Sequence, residues 1–231
     1  MKLLSILLLV LAIKTISSQF VDNLKIYKCS ESGGSVSWSN ATTVTDFEVT
    51  SNMGLAIQQT FASICYDDEY LRIKANCIDN NIISPYNQCN QDLFDADVFE
   101  IFLAYTDANS VAVNYLEVEL SPYGVLFVSS VYNPNDACVG IQDNLVDCDQ
   151  SGIIYEAGPV TSGWSGELSI PFSLIQKASG NPSGSNNVYK LNMFRIDVPQ
   201  YGYKEYSCYH ADNTNPPCFH VPSYFGALSL N

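Results

Sequence analysis

Tyr70-Leu71-Arg72-Ile73-Lys74-Ala75-Asn76-Cys77 alternates apolar and polar side chains with a period of two. Successive side chains of a strand point to opposite faces, so this spacing predicts a strand with one face buried and the other wet. The pattern recurs downstream. Leu116, Val118 and Leu120 fall on one face and Tyr115, Glu117 and Glu119 on the other. Trp164, Leu168 and Ile170 likewise oppose Ser165, Glu167 and Ser169. Val98 to Tyr105 and Val125 to Val131 are nearly continuous apolar runs, rich in β-branched and aromatic residues, as central strands require. Pro122-Tyr123-Gly124 supplies a turn between two strands, and Ser179 to Asn187 reads as a surface loop. Helical periodicity is confined to a turn around Ser173 to Ala178. Many short strands with frequent turns predict an all-β fold of two packed antiparallel sheets, a β-sandwich.

At the N-terminus Lys2 precedes an apolar run from Leu3 to Ile13, followed by the small residues Ser17-Ser18. This is the layout of a secretory signal peptide cleaved near Ser18. The run is shorter than the ~20 residues that cross a bilayer, and no second long apolar segment follows. The C-terminus, Ala227-Leu228-Ser229-Leu230-Asn231, carries no hydrophobic tail. Residues 1–18 are therefore expected to be a removed leader. Residues 19–231 are expected to form one secreted, extracellular domain without a membrane span, a length suited to a single all-β domain.

All eight cysteines follow the leader. An even number in an exported chain predicts disulfides rather than metal-binding thiols. Cys77 with Cys89, Cys138 with Cys148, and Cys208 with Cys218 each enclose a short polar loop, which leaves Cys29 for Cys65. Spacing alone does not fix the connectivity, since eight cysteines allow roughly a hundred pairings. No C-x-x-C or Cys/His pattern points to zinc. Asn40-Ala41-Thr42 is a glycosylation sequon, expected to carry a glycan at Asn40.

The formal net charge is −14, and loss of Lys2 and Lys14 with the leader takes it to −16. Such a field repels nucleic acids and anionic membranes, whose binding depends on Lys and Arg. Sulfated or uronic-acid glycans are disfavoured in the same way. Neutral or cationic partners remain.

Three segments could carry chemistry. Asp67-Asp68-Glu69-Tyr70-Leu71 is an acidic turn launching a strand. Through Asp67 and Asp68 it is a candidate calcium site, because hard cations gather several carboxylates, although EF-hand spacing is absent. Next, a loop of amides and carboxylates, Asn90-Gln91-Asp92-Leu93-Phe94-Asp95-Ala96-Asp97, runs into Val98-Phe99-Glu100-Ile101-Phe102. Glu100 shares a face with Val98 and Phe102. A buried carboxylate must be paired or aimed at a ligand, and Arg195 is the candidate partner. Finally, the aromatic segment from Phe219 to Phe225 precedes the last strand. Trp38 and Trp164 read as core residues, and His210 and His220 as surface histidines in separate loops.

These blocks resemble the family 9 carbohydrate-binding modules and their looser relatives, which share a DOMON-like β-sandwich. The matching segments are Tyr66 to Leu71, Phe94 to Phe102, Gly166-Glu167-Leu168-Ser169-Ile170-Pro171-Phe172, and Phe219 to Leu230, in that order. The resemblance implies a terminal sugar ring held between two aromatic side chains, with an acid, an Arg and amides bonding its hydroxyls. By motif position the aromatics fall on Phe94 and Phe219 and the acid on Glu100. The Arg position falls near Glu117, a reversal of charge. Loop amides such as Asn90 would complete the set. A pyranose suits such a site, because its C–H faces pack on aromatic rings and vicinal hydroxyls match the two oxygens of a carboxylate. Phe94 and Phe219 could instead be hydrophobic plugs under long loops.

Three other functions compete. A glycosidase needs two carboxylates about 5–10 Å apart, but no motif fixes such a pair here, and no nucleophile elbow or triad pattern occurs. A haem domain would have only Met53, Met193, His210 and His220 as axial ligands beyond the leader, without an attachment motif. An adhesive or structural extracellular protein is the third. The expected function is a non-catalytic, secreted module for a neutral saccharide, with structural calcium the one cofactor in view.

Overall fold

The computed structural model describes residues 23–32, 35–200 and 202–231; the expected leader lies outside the described residues. In chain order the strands are β1 Leu24–Ile26, β2 Ser30–Ser32, β3 Ser35–Ser37, β4 Thr42–Val44, β5 Glu48–Val49, β6 Thr60–Tyr66, β7 Tyr70–Ile78 and β8 Val98–Asp107. There follow β9 Asn114–Leu120, β10 Leu126–Tyr132, β11 Gln142–Leu145, β12 Ile154–Val160 and β13 Gly163–Pro171. After the helix α1, Phe172–Ala178, come β14 Asn187–Asp197, β15 Glu205–Cys208 and β16 Gly226–Leu230.

The strands form a large sheet in the order β1-β16-β14-β8-β9-β10-β11, with β15 and β5 extending it beside β14. A second sheet runs β12-β13-β7-β6-β4. Every neighbouring pair in both sheets is antiparallel except β1 with β16. The alternating residues read from sequence fill the space between the sheets. Leu71, Ile73, Trp164, Leu168 and Ile170 of the smaller sheet pack with Phe99, Ile101, Leu116, Val118 and Leu120 of the larger. Each such side chain removes apolar area from water, about 1.5–3 kcal/mol for a fully buried Leu, Ile or Phe. Gly163, where β13 begins, has φ +144°, and a Cβ there would lie 2.1 Å from the carbonyl oxygen of Cys77. Only glycine lets β13 start this close to β7.

Three disulfides join Cys29 to Cys65, Cys89 to Cys148 and Cys138 to Cys218. Short-loop pairing for Cys77, Cys138 and Cys208 is thus corrected. Cys77 and Cys208 are buried free thiols. Strand parity explains the first. Cys77 falls on the same face of β7 as Leu71, Ile73 and Ala75, within the interior between the sheets, out of reach of the loop holding Cys89. Cys208, at the end of β15, is committed to a second apolar cluster on the far face of the large sheet. Burial pushes the Cys77 thiol up to about 11 and raises that of Cys208 further.

Candidate functional site

β8 reads as a continuous apolar run because both of its faces are covered. Its inner face meets the smaller sheet. Its outer face, with those of β9, β10 and β14, carries Val98, Phe102, Tyr115, Phe127, Phe194 and Ile196 beneath loops that contribute Leu93, Phe219 and Phe225. Phe102 is the hub, 4.8 Å from Phe194 and 5.7 Å from Tyr115 between ring centroids.

Three carboxylates interrupt this apolar face. Strand alternation puts Glu117 and Glu119 on the same side of β9, and the β8–β9 register sets Glu100 opposite Glu119. Ligand oxygens of the three lie within 4.8 Å of one another. Glu100 is 2% exposed, Glu117 6% and Glu119 1%. Oε1 of Glu100 meets no hydrogen-bond donor, and the oxygens of Glu119 meet none beyond the neighbouring Glu117 carboxyl. Removing a carboxylate from water disfavours its charge, and a like charge beside it adds to the effect. Burial, then Asp143, pushes Glu117 up to about 8. Burial, then Glu117, raises Glu100 well above the usual carboxylate range. Glu119 is raised by burial, then by Glu100 and Glu117.

A pocket of about 180 Å³ opens over these carboxylates. Phe94, Phe219, His220, Tyr206 and the Cys138–Cys218 disulfide form its walls. Phe94 sits on the single turn Leu93–Asp95 and is 44% exposed. Phe219 is 8% exposed and stacks on Phe194, with centroids 4.4 Å apart and planes 21° from parallel. The two rings therefore differ, one half-open to solvent and the other largely built into the apolar cluster. His220 is not a surface residue. Its Nδ1 lies 2.7 Å from the Tyr115 hydroxyl, and burial lowers its pKa to about 4. Neutral at pH 7, it forms no ion pair with Glu117 across 3.9 Å, a separation too long for a hydrogen bond.

The pocket brings together Phe94, Glu100, Glu117 and Phe219 and leaves out Asn90. Its amide accepts the backbone N–H of Val128 at 2.8 Å and donates to the carbonyl of Val146 at 2.9 Å. It pins the Cys89 loop to β10 and lies outside the lining of the pocket. Arg195 is also corrected as a partner of Glu100. In the β8–β14 register Phe194 is opposite Glu100, whereas Arg195 is opposite Phe99 and faces the other side. There its Nη2 bonds Asp79 at 2.8 Å and Asp197 at 2.9 Å, and its guanidinium lies 5.1 Å from the ring of Trp164. Trp164 is a core residue, while Trp38 is half-buried.

The expected calcium ligands have other partners. Asp67 accepts the backbone N–H groups of Glu69 and Tyr70 and pairs with Arg72 at 2.6 Å. Asp68 pairs with Lys28 at 2.6 Å. These bonds make the acidic turn a brace rather than a convergent set of free oxygens. Asn40 is exposed, its amide donating to the Ser30 hydroxyl at 2.6 Å.

A larger cleft of about 490 Å³ adjoins the pocket, sharing Tyr206 and Pro217 with it. Ile57, Met53 and Tyr203 line it and are strongly exposed. Its carboxylate Glu205 accepts the backbone N–H groups of Ile57 and Gln58, so the cleft offers shape and apolar surface more than free acid. The convergent polar groups belong to the smaller pocket.

Fold and site together define a β-sandwich with an acid-floored, aromatic-walled pocket on the outer face of its larger sheet. That fold is shared by family 9 carbohydrate-binding modules. Two such modules from Caldicellulosiruptor kristjanssonii, solved with cellotriose and with glucose, superpose with TM-scores of 0.61 and 0.58. They are 14% and 16% identical; the alignments cover 91% and 90% of this chain and 94% and 95% of theirs. A candidate carbohydrate-binding protein from Bacteroides uniformis matches with a TM-score of 0.68 and 12% identity, over 90% of this chain and 99% of its own. An Arthroderma benhamiae protein named "Extracellular protein" is 24% identical over 182 residues, 72% of this chain and 76% of that one. No protein-family model matches the sequence. Among the described residues no helix is long and apolar enough to cross a membrane.

Sequence reasoning missed Glu119, Tyr206 and the inward role of His220. Glu119 carried a usable signal, since it alternates with Leu116, Val118 and Leu120 on the same face as Glu117. Tyr206 carried none, because its place depends on β15 folding back beside β14.

Proposed function

We propose that this protein is a secreted, non-catalytic saccharide-binding module, with its site in the pocket walled by Phe94 and Phe219. The observation that carries this reading is the convergence of aromatic rings and unpartnered carboxylate oxygens in one pocket. It occurs on the fold of modules solved with glucose and cellotriose. The exposed ring of Phe94 offers a stacking surface for a pyranose, and Phe219 shapes the opposite wall. Glu100 accepts hydrogen bonds from sugar hydroxyls when ionised and donates one when protonated. Glu117, near the position where the family resemblance implies an Arg, gives the pocket an acid instead and so a hydroxyl pattern of its own. The neighbouring cleft, which shares Tyr206 and Pro217 with the pocket, lies close enough to take further sugar units, so an oligosaccharide is favoured over a monosaccharide. Disulfides and the net charge of −14 suit an extracellular setting and a partner that is not polyanionic.

Calorimetric titration with glucose, cellotriose and other neutral oligosaccharides tests this function. Heat of binding to at least one, weakened in Phe94→Ala and Glu100→Gln, is expected. Absence of binding to all of them, or unchanged affinity in both variants, overturns it.

A further inference from the structure

We infer that Glu100, Glu117 and Glu119 form a site for a hard divalent cation of the calcium class on the floor of the pocket. Their oxygens converge within 4.8 Å. Calcium bonds carboxylate oxygens at about 2.3–2.6 Å, so one ion seated among the three reaches oxygens on opposite sides roughly that far apart. Magnesium, which demands near-octahedral geometry and gives up its waters reluctantly, suits a buried site built from three carboxylates less well.

The second observation is the missing donor. Glu100 is 2% exposed and lines the pocket, yet its Oε1 meets no hydrogen-bond donor, and the oxygens of Glu119, 1% exposed, meet none beyond the neighbouring Glu117 carboxyl. A buried acid is ordinarily paired or bound to a metal. Among the described residues, His220 is the basic side chain that approaches the cluster, 3.9 Å from Glu117. Lys204 is held at the rim by Asp95 at 3.3 Å, and Arg195 is turned to the other face of the sheet. A cation would satisfy these oxygens, and the pocket side of the ion stays open to water or hydroxyl oxygens.

The other buried acidic group, Asp79, Asp97 and Asp197, differs in the feature that matters. Arg195 bonds Asp79 and Asp197, while Asp97 accepts the backbone N–H groups of Ile83 and Val198. Its charge is already answered by the protein.

Calcium binding at the glutamates is tested without any saccharide, so its failure and that of the proposed function are separate results. The exported protein is stripped with chelator and titrated with calcium chloride at pH 7.5, followed by calorimetry and thermal unfolding. One ion per chain and a rise in melting temperature are expected, with a smaller rise for magnesium. Glu119→Gln and Glu100→Gln should each raise the calcium needed for half-saturation at least tenfold. Both variants lower the repulsion in the cluster, so they should melt no lower than the wild type in chelator, which reports that they fold. Asp67→Asn serves as a control and should bind as the wild type does. No calcium-dependent change in the wild type, unchanged binding in both Gln variants, or loss of binding in Asp67→Asn overturns the assignment.

Discussion

Glu100 and Glu119 face each other across the β8–β9 ladder, and neither is paired with a basic side chain. Like charges directly opposite on a sheet are destabilising, and burial sharpens the effect.

Stability in chelator should therefore fall as pH rises from 6.5 to 8. Folded Glu117 holds its proton to about 8, against 4.5 for the free group. Between those values the folded state binds more protons than the unfolded state, and stability drops with rising pH. Glu100 and Glu119 act in the same direction. His220, lowered to about 4, acts oppositely only below its ordinary 6.5. Urea midpoints at pH 6.5 and 8 should differ in that sense, and Glu117→Gln should narrow the gap. A midpoint that rises with pH contradicts the ordering.

The two pocket phenylalanines should separate by assay. Phe94→Ala removes a half-exposed ring and should leave the melting temperature within a few degrees while weakening saccharide binding about tenfold, the equivalent of ~1.4 kcal/mol. Phe219→Ala removes a buried ring stacked on Phe194 and should cost about 3–5 kcal/mol of stability. Equal destabilisation by the two substitutions contradicts this division.

Thiol chemistry should follow the pairing Cys29–Cys65, Cys89–Cys148 and Cys138–Cys218. A thiol reagent should find no reactive cysteine in the native protein and two, Cys77 and Cys208, after unfolding in denaturant. Peptide mapping without reductant checks the same bonds, and a Cys77–Cys89 crosslink would refute them.

Asp79→Ala should be among the most destabilising single changes outside the apolar interior. It leaves a fully buried Arg195 with Asp197 alone, and breaking a buried pair costs about 3–5 kcal/mol. Arg195→Met, which strands the buried carboxylates of both Asp79 and Asp197 without their shared cation, should cost at least as much in chemical denaturation.

The sandwich was readable in the sequence because its strands repeat one local rule. Leu71-Ile73-Ala75 and Leu116-Val118-Leu120 declare their inward face through alternation alone. The same rule applied to Cys77 would have placed it inside and excluded its partner in the loop. The doubly buried β8 could be recognised as central, and Glu100 within it as exceptional. What surrounds Glu100 was not local. Phe194 rather than Arg195 lies opposite it because a register set by the whole β8–β14 ladder decides which residue faces which side. Asn90 looked available because sequence does not show which backbone groups a loop amide must satisfy. Asp67 and Asp68 looked free because Arg72 and Lys28 had no visible claim on them.

The Cys138–Cys218 bond has a consequence for where the protein can work. It fastens together two stretches 80 residues apart that meet at the mouth of the pocket, while the layer between the sheets depends on apolar contact. In a reducing compartment the chain could keep its interior yet leave that mouth unfastened. Competence to hold a ligand is thereby tied to oxidation, and so to export.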